Sequence, residues 1–242
     1  MPWKETGYGA CMTQNKRPRE PMFNFGEKVP AYLAGILIAI YAFISLFLPK
    51  SLDQFFALFG MLRPLNTPGT DGLSNAVSLI GHGFLHGSWS HVLMNSGMII
   101  VFGIATIRGI KMKSQGFKKV QAIREKTVNP NRYFLFVFLA GVIVGGIFQW
   151  GWWSMSSAVN TAAVGASGGA SALFATTGWA IGGRNKMLQF GLGWGVINVI
   201  MVAAEPILGV GLAWAAHIGG YVGGMIFAPL WVQANSTKLG LT

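Results

Sequence analysis

Residues 207–232 read ILGVGLAWAAHIGGYVGGMIFAPLWV, a run with no Asp, Glu, Lys or Arg and a single histidine, His217. A stretch this long and this apolar is what a helix needs to cross the roughly 30 Å hydrocarbon core of a bilayer. Moving outward from it, five more runs of spanning length precede it: 31–48, 91–107, 133–153, 167–182 and 187–204. The run 167–182 is short and rich in Gly, Ala, Ser and Thr, so hydropathy alone would leave it doubtful.

The composition agrees with lipid as the solvent. Hydrophobic residues make up 52% of the 242 and charged residues only 10%, against roughly 25% charged in a soluble domain. Mean hydropathy is +0.49. A net charge of +11 would suggest nucleic acid in a soluble protein, but here the placement of the charges matters more. All of the 18 basic residues except Lys50 and Arg63 fall on one side of a six-span arrangement. They lie in the N-terminal tail, in the loop from Arg108 to Arg132, at Arg184 and Lys186, and at Lys238. Positive charge collects on the cytoplasmic side, so both termini are expected there, and the bias supports counting 167–182 as a span. No nucleic-acid partner is expected.

The expected organisation is one all-α polytopic membrane domain. A cytoplasmic, mobile N-terminal tail covers 1–30, six spans cover 31–232 with a long outer loop at 49–90, and a cytoplasmic tail covers 233–242. No apolar leader core occurs in the first thirty residues, so the first span serves as the insertion signal. The lone Cys11 lies in the polar tail and can form no internal disulfide. In the outer loop, FFALFGML (residues 55–62) is too short to span and reads as an in-plane interfacial helix.

Polar side chains inside spans are costly and are functional candidates by default. Three clusters stand out: HGFLHGSWSHVLMN with His82, His86, His91 and Asn95; VGASGGASALF around Ser167; and AWAAHIGGYVGG around His217. His82 and His86 share the spacing of a zinc pair, but no glutamate lies between them and no acidic residue lies within a span, so no metal is expected. No other cofactor is implied. GASGG matches the G-x-S-x-G elbow of soluble hydrolases by accident, because that elbow needs a preceding core strand. A small-residue setting for Ser167 is by itself ordinary helix-packing sequence.

His217 changes the weighing. Counted from the start of its run it lies about ten residues deep, or about 15 Å at 1.5 Å per residue, and a histidine there needs a partner. Gly219 with Gly223, and Gly220 with Gly224, permit close helix contact, and Gly168 with Ala172 offers the same spacing. If those faces meet, Ser167 and His217 approach as nucleophile and general base. His91 and Asn95 share one helix face and could donate to an oxyanion, as could the backbone N–H of Ser167 at its helix N-terminus. The plainer alternative for His91 and Asn95 is capping or a helix–helix hydrogen bond.

Taken together, H-x4-H-x3-N (His86, His91, Asn95), G-A-S-G (Gly165 to Gly168) and A-H-I-G-G (Ala216 to Gly220) resemble the rhomboid proteases over about residues 77–225. The resemblance implies a six-helix rhomboid-like bundle in the cell (inner) membrane with its active site open to the extracytoplasmic side. It implies an intramembrane serine endopeptidase acting on transmembrane protein substrates, with Ser167 as nucleophile and His217 as base in a dyad. His91, Asn95 and the Ser167 N–H then form the oxyanion hole, and His86 supports it, as do Gly165, Gly168 and Gly220. Two departures from the family pattern stand out. Where many bacterial members have an aromatic residue one turn after the nucleophile, this chain has Ser171, leaving Phe174 or Tyr221 to hold the His217 ring. The Trp-Arg pair common in the outer loop is absent. The alternative reading is a catalytically weak or inactive relative that binds membrane clients, although such proteins normally lack the serine or the histidine. A proton-relaying transporter would be expected to show acidic residues in the spans or repeated halves, and neither occurs.

Overall fold

The computed structural model describes residues 26–52, 55–120, 129–156, 161–208 and 211–237. The N-terminal tail through residue 25 with Cys11, the basic residues Arg124 and Lys126, and Lys238 near the C-terminus lie outside the described residues. The chain is an all-α bundle with, among the described residues, six helices of ten residues or more: α1 (Lys28–Phe47), α2 (Gly72–Gly81), α3 (Trp89–Val120), α4 (Pro130–Ser156), α5 (Ser167–Leu208) and α6 (Trp214–Thr237). Among the described residues, four helices are long and apolar enough to cross a membrane: Lys28–Phe47, Trp89–Lys111, Pro130–Ser156 and Ser167–Ile207. The protein is thus a polytopic membrane bundle.

The longest of these is two helices in succession. Gly182 (φ −152°, ψ 29°) and Gly183 (φ +64°) leave the helical region inside α5, at the point where the sequence ends one span and starts the next. Gly183 takes the left-handed conformation that glycine tolerates best. Beyond it the chain folds back, since a Cβ on Gly178 would stand 3.0 Å from the Met187 Cα. Arg184 and Lys186 sit in this reversal.

Small residues set the packing. α6 is packed mainly against α4 and α5, and its two glycine pairs serve the two neighbours separately. Gly219 and Gly223 face Phe148, Val144 and Ala140 of α4, whereas Gly220 and Gly224 face Gly168 and Ala172 of α5. Three helices converge on Gly168. A Cβ there would lie 3.0 Å from the Gly141 carbonyl of α4 and 3.6 Å from the Ala216 carbonyl of α6. Without a hydrophobic force between helices in lipid, such backbone approach is the main source of association. Elsewhere the bundle is tied by hydroxyls: Tyr133 donates to the Ala228 carbonyl at 3.1 Å, and Thr177 donates to the Phe102 carbonyl at 3.3 Å.

Two expectations change. FFALFGML forms one wide helical turn, Phe56–Gly60, shorter than a helix over the whole of 55–62. Leu62 then pairs with Ala163 in a short antiparallel bridge (N···O 3.0 and 2.8 Å). α2 beside it is started by a capping box, in which the Asp71 carboxylate accepts from the Ser74 N–H and the Ser74 hydroxyl accepts from the Asp71 N–H. The last helix begins at Trp214, not near 207, so His217 lies in its first turn rather than ten residues in. Apolar composition continued through the preceding loop, which hid the true start. There the Glu205 carboxylate accepts the Leu212 N–H at 2.6 Å.

Candidate active site

Ser167 is the first residue of α5. The chain reaches it through an extended segment pinned by Ala163 to Leu62 and by the Gly165 N–H to the His82 carbonyl at 2.8 Å. The Ala166 carbonyl accepts the Ala170 N–H, so the N–H groups of Ser167, Gly168 and Gly169 are in the first turn, where a helix offers no acceptor of its own. Ser167 is buried to 9% exposure. Ser171, one turn on, donates its hydroxyl back to the Ser167 carbonyl at 2.7 Å.

Gly165 brings the histidine cluster to this turn. Its φ of +126° disfavours any side chain, and a Cβ would lie 2.7 Å from His91 Nε2 and 3.3 Å from Asn95 Nδ2. His91 and Asn95 therefore hang directly over the residue two before Ser167. α3 is started by Ser88, whose hydroxyl accepts the His91 N–H at 3.2 Å. This leaves the His91 side chain free of the capping role.

His86 connects these groups. Its Nε2 lies 3.1 Å from Asn95 Nδ2 and 3.5 Å from the Ala166 N–H, and its ring meets the His91 ring at 5.1 Å and 74°. Two donors converge on that nitrogen, so the ring is neutral with its proton on Nδ1. Burial, with the nearby His91 charge as a lesser cause, lowers its pKa to about 4. The bond uses one of the two Asn95 amide hydrogens and leaves the other. The Asn95 carbonyl oxygen and His86 Nδ1 are buried without a hydrogen-bond partner among the described residues. His82 is buried and donates its Nδ1–H to the Ser78 carbonyl at 2.9 Å. Among the described residues no three His, Cys, Asp or Glu side chains gather as a metal would require.

On the other wall, His217 is 5% exposed. Its Nδ1 lies 2.8 Å from Asn198 Oδ1 in the second half of α5, and its ring lies 5.9 Å from the Trp194 ring at 41°. The expectation that Phe174 or Tyr221 would hold the ring is corrected here. Phe174 stacks on Phe190 and edges Trp194 and Tyr221, and the Tyr221 hydroxyl turns away to the Met187 carbonyl. The Ser167 hydroxyl and His217 Nε2 make no hydrogen bond to each other among the described residues. Their chain neighbours do meet: Gly168 is against both Gly220 and the Ala216 carbonyl.

Three residues at this site escaped the reading of the sequence. Asn198 and Trp194 hold His217, and Gln149 of α4, buried, accepts the Ala216 N–H at 3.2 Å. Each is a polar-capable side chain in a lipid-length apolar run, which was the available signal.

The Rhomboid domain family model matches residues 74–234, a span that begins in α2 and includes all three polar clusters. No curated protein matches the chain. With the family model covering well over half of the chain, the chain belongs to the rhomboid family.

Proposed function

We propose that this protein is an intramembrane serine endopeptidase that hydrolyses peptide bonds in or near transmembrane segments of other proteins. The observation that carries the reading is the three-helix junction at Gly168, which sets the N-terminal turn of α5 beside the first turn of α6 with His91 and Asn95 above Gly165. Members of the family are generally serine proteases, and this chain keeps both the serine and the histidine.

In the proposed reaction His217 Nε2 takes the Ser167 hydroxyl proton as the oxygen attacks the substrate carbonyl. The Ser167 N–H, His91 Nε2–H and the free Asn95 amide hydrogen stabilise the oxyanion. The tetrahedral species collapses, the amine leaves with the proton from His217, and water then hydrolyses the acyl-serine by the same exchange in reverse. Catalytic hydrogen bonds are commonly long in the free enzyme and close in the substrate complex, which accommodates the lack of a Ser167–His217 hydrogen bond among the described residues.

In this proposal the chain crosses the inner membrane six times, counting α5 as two spans. Both termini are cytoplasmic, and the N-terminal end of α5 opens to the extracytoplasmic side, because Arg184 and Lys186 mark the opposite end as cytoplasmic. A fluorophosphonate probe on the purified protein tests the chemistry. Covalent labelling that disappears in Ser167→Ala is the expected result, and absence of labelling in an intact wild-type protein would count against a serine hydrolase.

A further inference from the structure

We infer that Asn198 is a positioning residue that completes a Ser167–His217–Asn198 triad, with the Trp194 ring as its second support; this rests on the hydrolase reading above. Asn198 is 3% exposed in a helix of lipid-facing residues, a setting in which an unpaired amide is costly. Both ends of the amide are paired. Nδ2 donates to the Trp194 carbonyl one turn earlier at 2.8 Å, and Oδ1 faces His217 Nδ1 at 2.8 Å.

The Trp194 bond fixes which way the amide points, because reversing it would set two oxygens against each other. A carbonyl oxygen only accepts, so His217 Nδ1 must carry the proton. Nε2 then keeps its lone pair, the one form of a neutral imidazole that can take the proton of Ser167. As the imidazolium forms, Asn198 Oδ1 holds the Nδ1–H in place. A neutral amide does this without burying a carboxylate in the bundle.

The same helix face supplies the ring contact. Trp194 and Asn198 are four residues apart and lie side by side, so one turn of α5 gives His217 both an aromatic neighbour and an acceptor. Ser171 does neither, since its hydroxyl is bound to the Ser167 carbonyl. The arrangement parallels the cysteine–histidine–asparagine grouping found on an unrelated protease fold.

The test compares wild type with Asn198→Leu, Asn198→Ala and Asn198→Asp in proteoliposomes. Cleavage of a single-span substrate is measured per fluorophosphonate-titrated site. The His217 tautomer is read from ¹⁵N-histidine NMR, assigned by difference against His217→Ala. Loss of the bond is expected to lower kcat about 10- to 100-fold with KM little changed, and to replace the Nδ1–H signature by a mixture. Asn198→Asp, buried as the neutral acid with its O–H donating to the Trp194 carbonyl in place of Nδ2, keeps an acceptor for His217 and is expected to preserve the Nδ1–H signature and recover most of kcat. Wild-type kcat per titrated site with an unaltered tautomer in Asn198→Leu would overturn the inference while leaving the hydrolase reading intact. Should wild type neither cleave nor label, the hydrolase reading fails. The tautomer comparison then decides the hydrogen bond by itself, survival of the Nδ1–H signature in Asn198→Leu overturning it.

Discussion

Gly220 of α6 lies so close to Gly168 of α5 that a methyl group on it would stand 2.2 Å from the Gly168 carbonyl oxygen. The obstacle is backbone, one residue from Ser167, and cannot rotate aside. The contact therefore couples helix packing to the geometry of the site.

Gly220→Ala is expected to destabilise the protein by about 1–3 kcal/mol, as overpacking generally does, and to lower cleavage by displacing α6. Gly193→Ala is the control. It meets nothing within 4 Å, and alanine is the better helix former by about 1 kcal/mol, so it should be neutral or mildly stabilising. Thermal unfolding in detergent checks both, and equal melting temperatures for the two variants would contradict the packing argument.

Ser167→Ala and His217→Ala are each expected to abolish cleavage of a reconstituted single-span substrate while leaving a folded, inserted protein. One removes the proposed nucleophile and the other the proposed base. Wild-type-like turnover in either, with host proteases excluded, would end the assignment.

His91→Ala and Asn95→Ala should weaken turnover rather than erase it, because the Ser167 N–H remains as a donor. Removing one such donor costs on the order of 10²–10³ in kcat in other enzymes. Unchanged turnover in both would reduce these side chains to bracing the loop around Gly165.

His86 carries a pH signature. Its folded pKa is depressed from 6.5 to about 4, so as pH falls the unfolded chain takes up the proton first. The neutral ring's contribution to stability is complete above about pH 6.5 and is lost as pH falls through about 4. Wild type should therefore lose melting temperature relative to His86→Gln between those values. Parallel pH curves for the two proteins would show that His86 is not held neutral.

The cut is expected near the outer membrane face, after a small residue and just before a helix-weakening stretch. A helical segment hides its carbonyls in its own hydrogen bonds, and lipid offers no replacement. The substrate must therefore unwind locally, which Gly or Pro makes easier. Ala166, Gly168 and Gly169 leave room for its backbone. Mass spectrometry of the products locates the bond, and equal turnover with Phe or Trp before it would defeat this expectation.

The bundle was legible because its determinants are local. Apolar runs report spanning length, and Arg184 with Lys186 next to Gly182 and Gly183 marked the break that divides α5. The small-residue faces of Gly168 and Gly220 could also be read, since close approach needs only missing side chains at helical spacing. The start of α6 could not, because the residues before Trp214 are as apolar as the helix itself. Nor could the sequence reveal what holds His217. Phe174 and Tyr221 were as plausible as Trp194 by residue type, and Asn198 was one amide in an apolar helix. Which of them meets the ring depends on how the second half of α5 leans on α6. That tilt is set by backbone contacts between residues far apart in the chain, a relation that no local pattern encodes.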